Sequence, residues 1–122
     1  MKLSVAMCTY NGAEFIEEQL ISILNQTVKI DEIIICDDCS TDDTLEILQK
    51  IIEQNNSVIT IFRNEVNLRS NKNFEKALSL CTGDYIFFSD QDDIWKKNKV
   101  QKFIDKFNED ETIEDRISIR SI

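Results

Sequence analysis

The chain has 122 residues, of which 42% are hydrophobic and 30% are charged, and its formal net charge is −9. This length suits one domain with a single core, and the negative charge argues against nucleic acid as a partner because phosphates would be repelled. The chain has no histidine and only two glycines. Histidine-based nucleophilic catalysis, imidazole zinc sites and glycine-rich phosphate loops are therefore excluded.

The first half of the chain alternates between strand and helix patterns. Leu3–Cys8 is a short apolar run that predicts a buried strand, and an Asn-Gly turn signal follows it. Between Ala13 and Asn25 the apolar residues recur at helical spacing. Glu32–Cys36 predicts a second buried strand, which ends in two aspartates and leads into another helix pattern.

The second half repeats this alternation. Val58–Phe62 predicts a third strand, Ser70 is expected to cap the next helix, and Tyr85–Phe88 predicts a fourth strand. A further helix is predicted by the helical spacing of Val100, Phe103, Ile104 and Phe107. Beyond residue 108 the pattern predicts no complete helix or strand. No apolar stretch approaches the roughly 18 residues that a membrane span needs.

Polar clusters follow three of the predicted strands. Continuously apolar strands that alternate with helices are typical of a parallel sheet covered on both faces. In such sheets, ligands bind beyond the carboxyl ends of the strands. Those ends carry Thr9-Tyr10-Asn11, Asp37-Asp38 and Asp90–Asp93. Because the three clusters should converge on one edge of the sheet, that edge is predicted to hold a metal and a ligand.

The fourth strand ends in three carboxylates, those of Asp90, Asp92 and Asp93. Side chains alternate along a strand, so Asp90 and Asp92 are expected to project to one side while Gln91 points away. Two converging carboxylates repel each other unless a cation lies between them, and such oxygen ligands suit Mg²⁺ or Mn²⁺. A single Asp-x-Asp is also common in solvated turns, and the convergence of three clusters favours the metal site over that alternative.

Several longer motifs occur in a characteristic order between residues 2 and 107. They are Ser4–Gly12, Ser22–Thr27, Asp37–Thr44, Asn67, Asn73-Phe74, Ala77-Leu78, Thr82–Ile86 and Ser89–Trp95. Each motif alone is modest, but their combination is specific. With these motifs the chain resembles family 2 glycosyltransferases of the GT-A fold. The resemblance implies a Rossmann-like three-layer sandwich, mostly a parallel sheet with helices on both faces, here truncated.

The resemblance also implies roles for individual residues. Those expected to bind nucleotide are Thr9, Tyr10, Asn11, Asp38 and Asp90. Asp38 would hydrogen-bond the base. Asp90 and Asp92 would form the family's Asp-x-Asp motif, in which Asp92 ligates Mn²⁺ or Mg²⁺ and Asp90 lies towards the ribose or the metal.

The function implied is transfer of a sugar, with inversion, from a UDP- or dTDP-linked donor to a glycan or lipid-linked acceptor. Such enzymes commonly build cell-surface polysaccharide. The family's carboxylate base lies beyond residue 122, so no catalytic residue is assigned. Residues 1–108 would be the nucleotide-sugar-binding part and 109–122 an acidic, irregular tail. A cytoplasmic location is expected, with peripheral association of the full-length enzyme at the inner face of the membrane left open.

Two departures and three alternatives accompany this interpretation. Cys39 and Arg69 stand where glycine is common in the family, so the backbone there lacks glycine's freedom to adopt positive φ. A magnesium-dependent phosphoryl-transfer domain is one alternative, although its nucleophilic aspartate is missing from the end of the first strand. A non-catalytic nucleotide-binding fragment is another. Cys36-x-x-Cys39 has the spacing of a redox pair, but it stands alone, and buried small apolar residues near strand ends are the favoured explanation of these cysteines.

Overall fold

The computed structural model describes residues 1–55, 58–109 and 117–120. Strands and helices alternate along the chain, as the sequence patterns predict. The strands are β1 (Leu3–Thr9), β2 (Glu32–Asp37), β3 (Ile59–Arg63), β4 (Tyr85–Ser89) and β5 (Ile117–Arg120). The helices are α1 (Ile16–Leu24), α2 (Thr44–Asn55), α3 (Arg69–Leu80) and α4 (Lys99–Glu109). None of the described helices is long and apolar enough to cross a membrane.

All the described strands pair in parallel, in the order β3-β2-β1-β4-β5. β1 therefore lies at the centre of the sheet, between β2 and β4. β1 and β2 are in register from Ser4 opposite Glu32 to Thr9 opposite Asp37. The carboxyl ends of β1, β2 and β4 therefore lie side by side, which brings the three polar clusters to one edge.

Helices cover both faces of the sheet. On one face, alternate residues of β1 and β2 pack against α1, α2 and α4, as Val5 and Ile33 do. On the other face, residues such as Ala6 and Ile34 pack against Phe74, Ala77 and Leu78 of α3. Burial on both sides explains why the central residues of both strands, Val5–Cys8 of β1 and Ile33–Cys36 of β2, are apolar, because each face of these strands contributes to a core. Trp95 belongs to the first core and is 4% exposed.

The structure corrects two sequence-based expectations. Residues 109–122 were expected to be irregular, but Ile117–Arg120 forms β5 beside β4; residues 110–116 and 121–122 lie outside the described part. α3 begins at Arg69 with Leu68 at its N-cap, so Ser70 does not cap it. Gly83 follows α3 without a positive φ. Gly83 is needed for close packing, because a Cβ at this position would collide with Ser4 Oγ.

Candidate functional site

A cleft of about 600 Å³ opens at the carboxyl edge of the sheet, between the ends of β1, β2 and β4 and the start of α3. Four of the six predicted site residues line it: Thr9, Tyr10, Asp38 and Asp90. Asn11 and Asp92 are adjacent in sequence to lining residues but do not line the cleft themselves. Its volume falls within the range typical of small-molecule sites.

The floor of this edge is a hydrogen-bond network around the buried carboxylate of Asp37. Thr9 Oγ1 and Ser40 Oγ each donate to Asp37 Oδ1 at 2.6 Å, and the Ser40 amide donates to Oδ2 at 2.9 Å. Ser40 Oγ also accepts the Asn11 amide at 2.8 Å. Because Asp37 is completely buried and its bonds join the ends of β1 and β2, it organises the edge and is not available to a ligand.

Asn11 has a structural contact of its own. Its side-chain oxygen accepts the Thr41 amide at 2.7 Å, and its backbone has a φ of 49°. Asparagine tolerates this left-handed conformation better than most residues. Asn11 therefore ties the loop after β1 to the loop after β2, and its predicted nucleotide contact remains a prediction.

Asp38 forms the N-terminal cap of α3, although the two lie 30 residues apart in sequence. Its Oδ1 accepts the Leu68 amide at 2.7 Å and the Asn64 side chain at 2.9 Å, and its Oδ2 accepts the Arg69 amide at 2.9 Å. A carboxylate at a helix N-terminus also interacts favourably with the helix dipole. Asp38 thus fixes α3 against the end of β2 while lining the cleft.

The ionised form of Asp38 is stabilised by these contacts. Burial alone would raise the pKa of this carboxyl, but the hydrogen bonds from Leu68, Asn64 and Arg69 together lower the pKa below its ordinary value. A carboxylate has about four lone-pair sites. The described residues occupy three of them, so Asp38 Oδ2 can accept one more hydrogen bond.

The segment Asp90–Asp93 is a turn and not the continuation of β4, which ends at Ser89. The Asp93 amide donates to the Asp90 carbonyl at 3.2 Å, and Asp92 has a φ of 68°. The prediction that Asp90 and Asp92 share one side was based on strand alternation. That argument is wrong, because these residues do not belong to a strand. Gln91, expected to point away, accepts the Tyr10 amide at 3.0 Å through its side-chain oxygen and also lines the cleft.

The turn suits a cation that is bound jointly by the protein and a ligand better than a cation that protein side chains surround completely. Within the described ranges, no group of three or more Asp, Glu, Cys or His side chains could hold a metal ion. Mg²⁺ is commonly bound by one or two carboxylates together with substrate phosphates. Asp90 and Asp92 are exposed carboxylates on one turn, so they fit a metal whose remaining ligands come from a diphosphate.

Arg69 is the residue that sequence reasoning treated only as a departure from the family pattern. It lines the cleft and, among the described lining residues, carries the positive charge. It also adopts a φ of 69°, and Cys39, the other departure, adopts a φ of 67°. Both positions thus keep the left-handed conformation that glycine favours. The sequence could have pointed to Arg69, because it is a positively charged residue after a predicted strand, on the side of the sheet where a ligand was expected.

The cysteines do not form a redox pair in this structure. All four are free, and Cys36 is completely buried with its thiol pKa raised by burial. Cys39 Sγ donates to the Asn64 carbonyl at 3.2 Å. A buried thiol with a raised pKa is a poor nucleophile, so the simpler explanation of buried cysteines near strand ends fits better.

A parallel sheet covered on both faces, with a polar cleft at its carboxyl edge, defines a Rossmann-like α/β protein. Comparison with known proteins identifies the family. The model of "Glycosyl transferase family 2" matches residues 4–116, and the chain belongs to that family. The resemblance to family 2 glycosyltransferases is thereby confirmed.

Individual relatives agree with this assignment. The chain is 45% identical over 103 residues to the dTDP-rhamnosyl transferase RfbG of Shigella flexneri, covering 81% of this chain and 36% of the relative. The structure of S. aureus TarS 1-349 in complex with UDP is similar, with a TM-score of 0.79 and 32% identity over 89% of this chain and 32% of that one. The mannosyltransferase PcManGT from Pyrobaculum calidifontis, in complex with GDP-Man and Mn²⁺, has a TM-score of 0.80 and 26% identity, covering 92% and 33%. The chain thus spans about a third of the length of these relatives.

Proposed function

We propose that this chain binds the nucleoside diphosphate of a sugar donor and belongs to a glycosyltransferase that builds cell-surface polysaccharide. The observation that carries the proposal is the remaining acceptor site on Asp38, at the wall of a cleft that also contains Asp90. Family membership supports it, as do the UDP and GDP-Man complexes of similar structures.

Asp38 would recognise the base. Uracil and thymine carry an N–H at ring position 3, whereas the same position in cytosine is an acceptor. One unused acceptor site on an ionised carboxylate therefore favours UDP or dTDP over CDP. Leaving such a buried acceptor against another acceptor costs about 1–3 kcal/mol, which corresponds to a loss of affinity of about 5- to 150-fold.

The acidic turn would hold Mn²⁺ or Mg²⁺ together with the two phosphates. A chain of net charge −9 repels a free diphosphate, and a divalent ion reverses that local repulsion. Asp92 and Asp90 would supply the protein ligands, and the bound ion would neutralise the charge that develops on the departing nucleoside diphosphate. The Arg69 guanidinium, at the same cleft, would contribute a second positive charge towards the phosphates.

The reaction proposed is inverting transfer of the sugar to a glycan or lipid-linked acceptor, as the resemblance to the family implies. A carboxylate base would take the proton of the acceptor hydroxyl, and no residue of this chain is assigned to that role. The chain's own contribution to the reaction is to bind the base, orient the diphosphate and compensate its charge.

Calorimetric titration with four nucleotides tests the proposal. UDP and dTDP should bind, Mn²⁺ should tighten both relative to EDTA, and CDP should bind at least about fivefold more weakly than UDP. UMP controls for the second phosphate and should gain less from Mn²⁺ than UDP does. Equal affinities for UDP and CDP would refute the role of Asp38, and the absence of diphosphate binding would refute the proposed function.

A further inference from the structure

Three polar side chains on or just after α1 contact the backbone of the acidic turn and of the segment that follows it. Gln19, Ser22 and Gln26 are spaced at i, i+3 and i+7, which brings them to one side of a helix. Gln19 is 1% exposed and Gln26 is 8% exposed. Burying an amide is costly unless it is hydrogen-bonded. The hydrogen-bond partners of these side chains therefore show which parts of the backbone they hold in place.

Gln19 fixes the first residue of the turn. Its Nε2 donates to Ser89 Oγ at 2.9 Å and to the Asp90 carbonyl at 2.6 Å. The same Asp90 carbonyl accepts the Asp93 amide that closes the turn. Gln19 therefore joins the end of β4 to the turn at the residue where the strand gives way to it.

Ser22 and Gln26 fix the other end of the segment. Ser22 Oγ accepts the Trp95 amide at 3.0 Å. Gln26 Nε2 donates to the Lys96 carbonyl at 2.7 Å, and its Oε1 accepts the Val100 amide at 3.0 Å, at the first turn of α4. The backbone is thus held on both sides of the carboxylates by side chains from one helix.

We propose that Gln19, Ser22 and Gln26 are positioning residues that hold the acidic turn in its metal-binding conformation before any ligand arrives. The proposal rests on the proposed function, because it assumes that the turn binds a metal and a diphosphate. Asp90 and Asp92 are exposed, so their own side chains bury little surface that could fix the turn. Asp92 also holds a left-handed φ, a conformation that persists only where the surroundings enforce it.

Preorganisation should therefore appear in metal coupling, meaning the ratio of UDP dissociation constants in EDTA and in Mn²⁺. Residues that orient metal ligands typically change metal affinity by about 10–100-fold when they are replaced. Gln19→Leu keeps a comparable side-chain volume and removes both hydrogen bonds. It should lower the metal coupling about tenfold and leave the UDP dissociation constant in EDTA within about twofold, since the base is bound elsewhere in the cleft.

Ser22 offers a conservative rescue. Ser22→Ala removes the acceptor for the Trp95 amide and should lower the metal coupling, whereas Ser22→Thr retains a hydroxyl and should restore it. Trp95 is the one tryptophan of the sequence, so intrinsic fluorescence reports the state of this segment without a ligand. We expect the Trp95 emission to shift in Ser22→Ala and not in Ser22→Thr. Ser22 is only half-buried. If Gln19→Leu does not fold, the comparison of Ser22→Ala with Ser22→Thr therefore still tests the positioning role.

Ser4→Ala is the matched control for loss of a buried hydrogen bond. Ser4 is completely buried, donates to Glu32 and accepts the Gly83 amide at the opposite edge of the sheet. Ser4→Ala should lower the melting temperature and leave the metal coupling at the wild-type value. Unchanged coupling in Gln19→Leu and Ser22→Ala, with only their melting temperatures lowered, would overturn the positioning role alone. Absence of coupling in the wild type would refute the metal site and the positioning role together, whereas UDP binding in EDTA would still support the base site.

Discussion

Replacing Asp38 with alanine tests whether a carboxylate after β2 holds the start of α3. The substitution removes three hydrogen bonds, two of them from the Leu68 and Arg69 amides at the beginning of a 12-residue helix. The Asn64 side chain keeps a second partner, since it also donates to Asn73 at 2.8 Å. Loss of a cap costs about 0.5–2 kcal/mol and each hydrogen bond to a charged group about 1.5–3 kcal/mol, without additivity. We therefore expect the free energy of unfolding to fall by about 3 kcal/mol.

Urea denaturation at pH 7, followed by circular dichroism, measures this change. A loss of about 3 kcal/mol should also lower the melting temperature by about 10 °C for a domain of this size. Glu65→Ala is the matched control, because Glu65 is an exposed carboxylate in the loop that leads to α3. It should change the free energy of unfolding by no more than about 0.5 kcal/mol. A loss below about 1 kcal/mol in Asp38→Ala would refute the cap, given the lower end of these ranges.

The pH dependence gives an independent check of the same contact. The pKa of Asp38 is lowered in the folded protein, so the unfolded chain takes up a proton at higher pH than the folded one does. The stabilisation is therefore fully present above the unfolded value, about 3.9, and is lost as the pH falls through the folded value. The difference between wild type and Asp38→Ala should shrink below about pH 4. A difference that stays constant from pH 7 to pH 3 would contradict the ionic nature of the cap.

Three further outcomes follow from the site and the sheet. Asp92→Asn should abolish most of the gain in UDP affinity from Mn²⁺ without lowering the melting temperature, whereas Asp105→Asn should change neither in the same titration. Arg69→Gly should relieve a left-handed backbone and raise stability by up to about 1 kcal/mol while weakening UDP binding in calorimetry, and equal affinity would exclude Arg69 from the phosphates. Gly83→Ala forces a Cβ to within 2.9 Å of the Ser4 amide nitrogen, so urea denaturation should give a loss of about 1–3 kcal/mol, and no loss would mean that the strand shifts freely.

The sequence was sufficient for the parts of the fold that depend on neighbours along the chain. Apolar runs predicted β1 to β4, and their carboxyl ends predicted the edge that carries Thr9, Asp38 and Asp90. Contacts between residues that are far apart in the chain could not be predicted in this way, because they produce no local pattern in the sequence. Ser70 looked like a cap because it is close to the helix start, yet the cap is Asp38, 30 residues away. β5 was missed because Ile117 and Ile119 are too few apolar residues to predict a strand without the neighbouring β4.

The distribution of left-handed residues links the fold to the proposed site. Asn11, Cys39, Arg69 and Asp92 have φ values between 49° and 69°, and they are the described non-glycine residues with positive φ. One lies after each of β1, β2, β3 and β4, so all four belong to the carboxyl edge of the sheet. At roughly 1–2 kcal/mol each, together they cost an appreciable part of the roughly 5–15 kcal/mol that typically stabilises a domain. The hydrogen bonds that Asp37 and Asp38 accept and those that Gln19 donates hold the same edge, and strain maintained in this way is characteristic of binding sites. The carboxyl edge is therefore where stability is given up for a defined backbone geometry, as preorganised binding of a metal and a diphosphate would require.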